Sequence, residues 1–262
     1  MSELNEINKE AWNQETYNAW IERFGTPKEY IEKLTKNPSS KLYPIYEFFG
    51  DVSGKRVMNL MGSNGTKAAA LGILGAEVTI VDFSEGNKRY AEELAKEAGI
   101  NIEYIVSDVL ELPIKEYEGK YDVVFAELGI IHYFTDLKPF INIIKVLLKP
   151  NGKMILRDFH PVSTKLITSR GSTAKVRKHK VSGDYFDETI EESEVAYSKY
   201  LNDDKQDHKK VKLRKWTLGE VVTAVASGGL YIEILREEPN LSSEAFDNGI
   251  PKTFTLTARK QN

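Results

Sequence analysis

The residues best suited to binding a nucleotide follow the first long apolar segment of the chain. Val57 to Leu60 lead into Gly62-Ser63-Asn64-Gly65, and Asp82 ends the next apolar segment, 17 residues after Gly65. The glycines let the backbone approach a ligand closely, a helix starting after them offers unpaired N–H groups, and a carboxylate accepts hydrogen bonds from ribose hydroxyls. The same glycines could also form a tight turn that binds no ligand. The acid at Asp82 favours nucleotide binding over that alternative.

Further residues that could do chemistry stand at the ends of later apolar segments. Asp108 ends the third segment, His132 follows the fourth, and Asp158 and His160 end the fifth. Each histidine could act as a general base toward a hydroxyl or amine, and a hydrogen-bonded structural histidine is the equal alternative at both positions. Because the carboxyl ends of parallel strands share one sheet edge, we expect these side chains to lie near Asp82.

The spacing of the glycines argues against two large nucleotide-binding classes. The sequence has neither the G-x-G-x-x-G pattern of dinucleotide-binding enzymes nor the G-x-x-x-x-G-K-[ST] pattern of P-loop proteins. It contains no cysteine, which excludes disulfides, thiolate zinc sites, iron–sulfur clusters and cysteine nucleophiles. Its 4 histidines show no H-x-x-x-H pairing, so no metal site is predicted.

Alternating strand and helix patterns position these residues from Lys55 onward. Strands are predicted at 56–60, 77–82, 102–106, 121–126 and 153–158, and helices at 66–74, 85–98 and 137–148. The short apolar strands are typical of a parallel sheet that is covered on both faces. Ser84 and Gly99 are predicted to cap the two ends of one helix, and Thr217 with Glu220 forms a capping box that opens a later one. Two strands near the carboxyl terminus, without a helix between them, are predicted to pair antiparallel.

The segments on either side of this pattern predict the domain organisation. Residues 1–50 show helical spacing and no strand pattern, with a break at 37–40 and a short helix at 42–49, so we expect an N-terminal helical lid. Residues 51–262 are predicted to form the main domain, including a substrate-side insertion at 162–210. In that insertion VAYSKYL and VKLRKW are predicted as strands of a β insertion.

The loop and the segments after it resemble the class I S-adenosylmethionine-dependent methyltransferases. Asn59-Leu60-Met61-Gly62-Ser63-Asn64-Gly65 occupies the place of that family's first motif in a variant form. Asn59 replaces an acid, and Met61 and Ser63 replace two glycines. Asn59 would support the loop by hydrogen bonds and without a carboxylate's charge. The resemblance implies an α/β fold: a Rossmann-like seven-stranded sheet of order 3-2-1-4-5-7-6, with its last strand antiparallel and helices on both faces.

The same resemblance implies a role for individual residues, with S-adenosyl-L-methionine as cofactor and S-adenosyl-L-homocysteine as product. Asp82 stands where the family binds both ribose hydroxyls, Asp108 where it reads adenine, and Ile131-His132-Tyr133-Phe134 resembles an HYF signature of small-molecule methyltransferases. The implied cofactor-binding residues are Asn59, Gly62, Ser63, Asn64, Gly65, Asp82, Phe83, Ser84, Asp108, Val109, Glu127 and Leu128. The candidate catalytic residues are His132 and His160, and the candidate substrate or lid residues are Tyr17, Trp20 and Tyr133.

Composition and charge complete the functional prediction. A net charge of −3 disfavours a nucleic-acid partner. The sequence has no apolar run of about 18 residues and no signal-peptide pattern, so we expect a cytoplasmic protein without membrane contact, as a monomer or homodimer. The predicted activity is SN2 methyl transfer to an O, N or C nucleophile of a small molecule. The alternatives are an RNA or protein methyltransferase and a non-catalytic S-adenosylmethionine-binding protein.

Overall fold

The computed structural model describes residues 3–170, 178–201, 209–241 and 249–262. The helices are α1 (Glu3–Trp12), α2 (Thr16–Phe24), α3 (Pro27–Leu34), α4 (Pro38–Lys41), α5 (Tyr46–Phe49), α6 (Thr66–Ile73), α7 (Glu85–Ala98), α8 (Lys138–Leu147) and α9 (Leu218–Ser227). The strands are β1 (Arg56–Leu60), β2 (Glu77–Asp82), β3 (Ile102–Val106), β4 (Tyr121–Glu127), β5 (Leu148–Phe159), β6 (Ile167–Arg170), β7 (Lys178–Val181), β8 (Ile190–Glu194), β9 (Lys210–Arg214), β10 (Leu230–Glu238) and β11 (Thr253–Lys260).

One seven-stranded sheet carries the fold, in the order β10-β11-β5-β4-β1-β2-β3. Strands β3, β2, β1, β4 and β5 run parallel, whereas β11 is antiparallel to both β5 and β10. Because β10 and β11 take the sixth and seventh places of the predicted sheet, the order 3-2-1-4-5-7-6 and its antiparallel last strand are confirmed. The strand order reverses between β1 and β4, and open α/β sheets bind ligands at the carboxyl ends beside such a point.

Helices cover both faces of this sheet and create two hydrophobic cores. On one face α6 and α7 pack with α2, α3 and α5 around buried side chains such as Ile80 and Phe125. On the other face α8 and α9 enclose Met58 and Phe254. Because both faces are covered, β1, β2 and β4 are buried along most of their length, which is the pattern from which the parallel sheet was predicted.

Local capping signals set several helix boundaries as the sequence predicts. The Ser84 side chain accepts a hydrogen bond from the Asn87 N–H at the start of α7, and Gly99 ends that helix in the left-handed region. Thr217 and Glu220 form the predicted capping box at the start of α9. These polar contacts satisfy backbone groups that a helix end leaves unpaired, so the helix boundaries follow from residue type.

The segment after β5 forms two antiparallel hairpins, β6–β7 and β8–β9, which confirms the predicted β insertion. The parts of this insertion at 171–177 and 202–208 lie outside the described residues. The prediction of a strand at VAYSKYL is wrong, because a 3-10 helix covers Ser198–Tyr200. Val195 and Tyr197 are buried on either side of an exposed residue, so a turn here reproduces the period of a strand.

The N-terminal region is helical as predicted, with two differences in detail. A short helix, α4, stands where a break is predicted, since the Asn37 side chain accepts a hydrogen bond from the Ser40 N–H and caps it. The helix predicted at 42–49 begins only at Tyr46, after Pro44, because a proline inside a helix lacks a donor and clashes with the preceding turn. Within the described residues, no helix is long and apolar enough to cross a membrane.

Candidate active site

The loop after β1 contains two residues with a left-handed backbone. Met61 and Ser63, which the resemblance places where the family has glycines, have φ values of 49° and 50°. The conformation that favours glycine is therefore kept by two other residue types. Gly65 has φ 71° and precedes α6, and a Cβ added there would lie 2.5 Å from the Ala91 Cβ. Glycine is required at this position by both conformation and space.

Two asparagines hold the same loop from inside the protein. The Asn59 Nδ2 donates to the Phe125 carbonyl at 3.5 Å, and its Oδ1 lies only 2.6 Å from the position of a Cβ added to Gly62. The Asn64 Oδ1 accepts hydrogen bonds from the Thr66 N–H at 3.3 Å and the Thr66 hydroxyl at 3.0 Å. Asn64 therefore holds the first turn of α6, whereas Asn59 packs beneath Gly62 and joins β1 to β4.

Asp82 ends β2 and lies buried against this loop. Its Oδ2 accepts from the Ser63 N–H, and its Oδ1 accepts from the Ser84 N–H and the Asn87 Nδ2, each at 3.0 Å. Burial raises the pKa of Asp82, and the three hydrogen bonds oppose that shift. Since a carboxylate has about four acceptor positions, one position on Oδ2 is left for a ligand.

A small cavity lies beside Asp108 at the same sheet edge. Its volume is about 20 Å³, enough for a water molecule, whereas small-molecule pockets measure about 300–1,000 Å³. It is lined by Asn5, Asn8, Met61, Phe83, Ser107, Asp108, Val109, Tyr133 and Phe134. Side chains of α1 therefore fill space beside the predicted adenine-binding residues.

Hydrogen bonds fix α1 over this cavity. The Asn5 Nδ2 donates to the Asp108 Oδ2 at 2.5 Å, and the Trp12 Nε1 donates to the Tyr133 hydroxyl oxygen at 2.8 Å. The remaining Asp108 carboxylate oxygen accepts from the Leu110 N–H at 2.9 Å. In this position α1 leaves room beside Asp108 for no more than a water molecule.

The same helix is bound to the insertion on the far side of the site. The Asn8 side chain donates to the Lys212 carbonyl at 3.1 Å and accepts from the Lys212 N–H at 2.8 Å, in the manner of a strand partner to β9. The Tyr197 hydroxyl donates to the Ala11 carbonyl at 2.7 Å. A displacement of α1 therefore also breaks contacts to the insertion.

The two predicted lid aromatics on α2 pack against α7 and do not line the cavity. The Tyr17 hydroxyl donates to Glu93 Oε2 at 2.7 Å. The Trp20 Nε1 donates to Asn87 Oδ1, also at 2.7 Å, so it supports the amide that binds the β2 carboxylate. Of the three predicted substrate or lid residues, Tyr133 is the one that lines the cavity.

Asp158, which is fully buried at the end of β5, organises the loop after β4. Its Oδ1 accepts from the N–H groups of Gly129 at 2.6 Å and Phe159 at 2.7 Å. Its Oδ2 accepts from the Ile131 N–H at 3.1 Å. These bonds fix the start of the 3-10 helix Ile131–Tyr133, so Asp158 orients the helix that carries His132.

His132 is buried on that helix with one ring nitrogen unpartnered. Its Nδ1 lies 3.0 Å from the Arg214 carbonyl oxygen, and because a carbonyl only accepts, Nδ1 is assigned the proton. Its Nε2 lies 3.9 Å from Asp158 Oδ1 and has no hydrogen-bond partner within the described residues. With the proton on Nδ1, the ring presents a buried, unpartnered Nε2 at the sheet edge.

His160 uses both of its ring nitrogens in hydrogen bonds to the protein. Its Nδ1 accepts from the Val162 N–H at 3.1 Å, and its Nε2 lies 2.7 Å from Glu237 Oε1. Since Nδ1 accepts, Nε2 carries the proton and donates it to the carboxylate. This arrangement leaves His160 no lone pair for proton transfer and favours the structural alternative for it.

The sequence patterns did not indicate an ion pair between α6 and β4. Lys67, the second residue of α6, contacts Glu127, the last residue of β4, through Nζ and Oε1. The other carboxylate oxygen, Oε2, is buried without a partner in the described part of the chain. Burial, with repulsion from Lys41 and Arg157, lowers the pKa of Lys67 to about 7. A single lysine in the small-residue run after Gly65 is the signal that could have found it.

Comparison with known proteins identifies the family. Residues 51–215 match the family model described as a methyltransferase domain. The chain belongs to this methyltransferase domain family. The matched part of this methyltransferase domain holds the loop after β1, Asp82, Asp108, Glu127 and His132. Across the residues that the structure describes, no group of three His, Cys, Asp or Glu side chains could hold a metal ion.

Relatives and solved structures agree with this assignment. The methyltransferase domain is 27% identical over 146 residues to a ubiquinone biosynthesis O-methyltransferase of Bordetella pertussis, covering 56% of this chain and 60% of the relative. The chain thus spans about three fifths of that relative's length. An S-adenosylmethionine-dependent methyltransferase from Mesorhizobium loti shares its fold with a TM-score of 0.62 at 19% identity, covering 88% of this chain and 100% of that one.

A second solved structure is similar in fold over nearly the whole chain. Magnesium protoporphyrin IX methyltransferase from Synechocystis PCC 6803, with bound S-adenosylhomocysteine, has a TM-score of 0.57 at 14% identity. The match covers 98% of this chain and 99% of that one. These likenesses show the shared class I methyltransferase fold.

Proposed function

We propose that this protein transfers a methyl group from S-adenosylmethionine to a small molecule, with a hydroxyl oxygen as the acceptor. The methyltransferase family membership and the class I fold support the reaction type. The relatives named O-methyltransferases support an oxygen acceptor over a nitrogen or carbon acceptor. The observation that carries the proposal is the buried, unpartnered Nε2 of His132, because a hydroxyl nucleophile must lose its proton.

The residues at the sheet edge fit an adenosine-containing cofactor. Asp82 retains one acceptor position beside the loop for a ribose hydroxyl. A Cβ at Gly62 would clash with the buried Asn59 side chain, so glycine lets the loop pack closely on β1. Phe83 and Val109 supply apolar walls to the cavity beside Asp108. We assign these residues to cofactor binding, and α1 to a cover that opens for entry.

The bound cofactor supplies a methyl group already activated by a sulfonium. The work left to the chain is to hold donor and acceptor in line and to exclude water from them. Asp158 fixes the loop at Gly129 to Ile131, which in turn fixes the position of His132. The hydrogen bond from Nδ1 to the Arg214 carbonyl holds the tautomer in which Nε2 can take a proton from a hydroxyl.

Binding calorimetry with the purified protein tests the cofactor assignment first. We expect S-adenosylhomocysteine to bind and NADH, as control, not to bind. A screen of phenols and alcohols with methyl-labelled cofactor then tests transfer. Labelling of RNA or of a protein in place of every small molecule would support the alternative macromolecular substrate, and cofactor binding without any transfer would support a sensor.

Variants at the two histidines test the proton-transfer role. We expect His132→Ala to lower kcat by about a hundredfold or more while S-adenosylhomocysteine affinity changes little. His160→Ala is the matched control: it should lower thermal stability and leave kcat nearly unchanged, since both ring nitrogens are bound to the protein. Unchanged turnover in His132→Ala would remove His132 from the mechanism.

A further inference from the structure

A second, larger cavity lies at the opposite edge of the sheet from the candidate active site. It lies at the amino ends of β1 and β4, beside the turn 149–153 inside β5, and its volume is about 430 Å³. Small-molecule pockets measure about 300–1,000 Å³. The reaction proposed above uses the carboxyl ends of the parallel strands, so it leaves this cavity without a role.

Positive charge dominates the lining of this cavity. The charged residues that line it are four cations and one carboxylate: Lys55, Lys149, Lys153, Arg259 and Asp122. All four cationic residues are half-buried. Glu233, which is not part of the lining, pairs with Arg259 at 2.7 Å. Four cations against two carboxylates leave a net positive charge, which favours an anionic ligand.

Hydrogen bonds to the backbone hold two of the cations in place. The Lys153 Nζ donates to the Phe48 carbonyl at 3.0 Å, and the Arg259 Nη1 donates to the Asn151 carbonyl at 2.8 Å. A carbonyl is neutral, so its bond to Lys153 leaves the ammonium charge uncompensated. Side chains that are fixed before a ligand arrives lose less freedom when it binds.

The turn inside β5 brings two lysines to the same cavity. Asn151 has a left-handed φ of 62°, and a Cβ added to Gly152 would lie 2.9 Å from the Lys149 carbonyl oxygen. Glycine therefore lets the turn close tightly. Lys149 and Lys153, at the two ends of this turn, both line the cavity.

The cations also repel one another across the cavity. Burial lowers the pKa of Lys153, and the charges of Arg259 and Lys55 lower it further against the opposing effect of Glu233. An anion bound among these side chains would replace repulsion by attraction. The arrangement of the cations therefore fits a ligand that carries negative charge.

We propose that this cavity binds a small molecule that carries a chain of phosphate groups, a diphosphate or a triphosphate. Its cations come from the start of β1, the turn inside β5 and the end of β11. They surround a volume far larger than one phosphate group, so a chain of phosphates can reach more of them than a single phosphate. Lysine and arginine are the side chains that proteins commonly use for phosphate. A concave site of this size favours a small molecule over the extended backbone of a nucleic acid.

Calorimetry of the full chain with tripolyphosphate tests this site. We expect tripolyphosphate to bind at least about tenfold more tightly than inorganic phosphate, and Lys153→Met and Lys55→Glu each to weaken it by about tenfold or more. Lys55 acts on Lys153 through space, so Lys55→Glu changes the charge of the cavity and keeps the hydrogen bonds that hold it together. Lys88→Met and Lys88→Glu, on α7, are the matched controls, and their affinities should stay within about twofold.

Three results would overturn the inference. The first is a wild-type protein that does not bind tripolyphosphate, or an equal loss in the Lys88 controls, which would show a diffuse attraction to the whole surface. The second is displacement of tripolyphosphate by saturating S-adenosylhomocysteine, which would place the anion in the cofactor site. The third is an RNA oligonucleotide that binds more tightly than tripolyphosphate through the same lysines. An unchanged Kd in the presence of S-adenosylhomocysteine is the expected result, because the two sites lie at opposite edges of the sheet.

Discussion

Asp82 offers the sharpest test of how the site is held together. Substituting it with alanine leaves three donors without their acceptor: the Ser63 N–H, the Ser84 N–H and the Asn87 Nδ2. Ser84 and Asn87 are 0% and 1% exposed, so water cannot replace the carboxylate there, whereas Ser63 is only partly buried. Two unsatisfied buried donors cost about 2–6 kcal/mol. The variant no longer buries a carboxylate, which offsets part of this, so we expect a loss of about 2–4 kcal/mol.

Urea denaturation followed by circular dichroism and tryptophan fluorescence measures this loss. The matched control is Asp122→Ala, which removes a carboxylate that accepts from the Arg56 N–H and the Lys149 ammonium but is 30% exposed. There we expect a loss of about 1 kcal/mol or less, because water replaces the lost partner. Equal losses in the two variants, with unchanged m-values, would refute the reasoning that buried donors make Asp82 structural as well as ligand-binding.

Three further predictions concern other parts of the molecule. Gly65→Ala should lose about 2 kcal/mol or more, from the left-handed backbone and the clash with Ala91, whereas Ser63→Gly should shift stability by less than about 1 kcal/mol; equal denaturation midpoints for the two would contradict this. Thr217→Val should cost about 1 kcal/mol by removing the α9 cap, and a variant as stable as the wild type would show that the cap is dispensable. Since burial lowers the folded-state pKa of Lys67 to about 7 from 10.5, the unfolded chain holds more protons between these values, and stability should rise with pH there. Lys67→Met should flatten that rise in denaturation measured at several pH values, and an identical slope in both proteins would contradict the shift.

The sheet could be predicted from the sequence because local signals and the global fold agree there. The runs ending at Leu60, Asp82 and Val106 each form one strand of the sheet, and their predicted bounds are confirmed. The helix caps at Ser84 and Thr217 were readable for the same reason, since a capping hydrogen bond spans only three residues. By contrast, Tyr197 is buried against α1, which lies far away in the sequence, so a turn was mistaken for a strand.

The same distinction applies to the candidate site. Residues that follow apolar strands can be recognised in the sequence, and the structure places Asp82, Asp108 and His132 at one sheet edge as the topology requires. What the sequence could not distinguish is the hydrogen bonding of the two histidines, because it depends on Arg214 and Glu237, which come late in the chain. The partner of Glu127 was hidden for the same reason, since nothing in a helix of small residues tells which strand its lysine will meet.

The double attachment of α1 has a kinetic consequence. The helix binds Asp108 through Asn5 and binds β9 of the insertion through Asn8. One movement of α1 therefore breaks its contacts to Asp108 and to the insertion together. Under the proposed function, the incoming nucleoside can reach Asp108 only after Asn5 has left it, so cofactor binding includes the detachment of this helix. The rate of S-adenosylhomocysteine binding should then level off as the ligand concentration rises, and shortening Asn5 to alanine should raise that limiting rate.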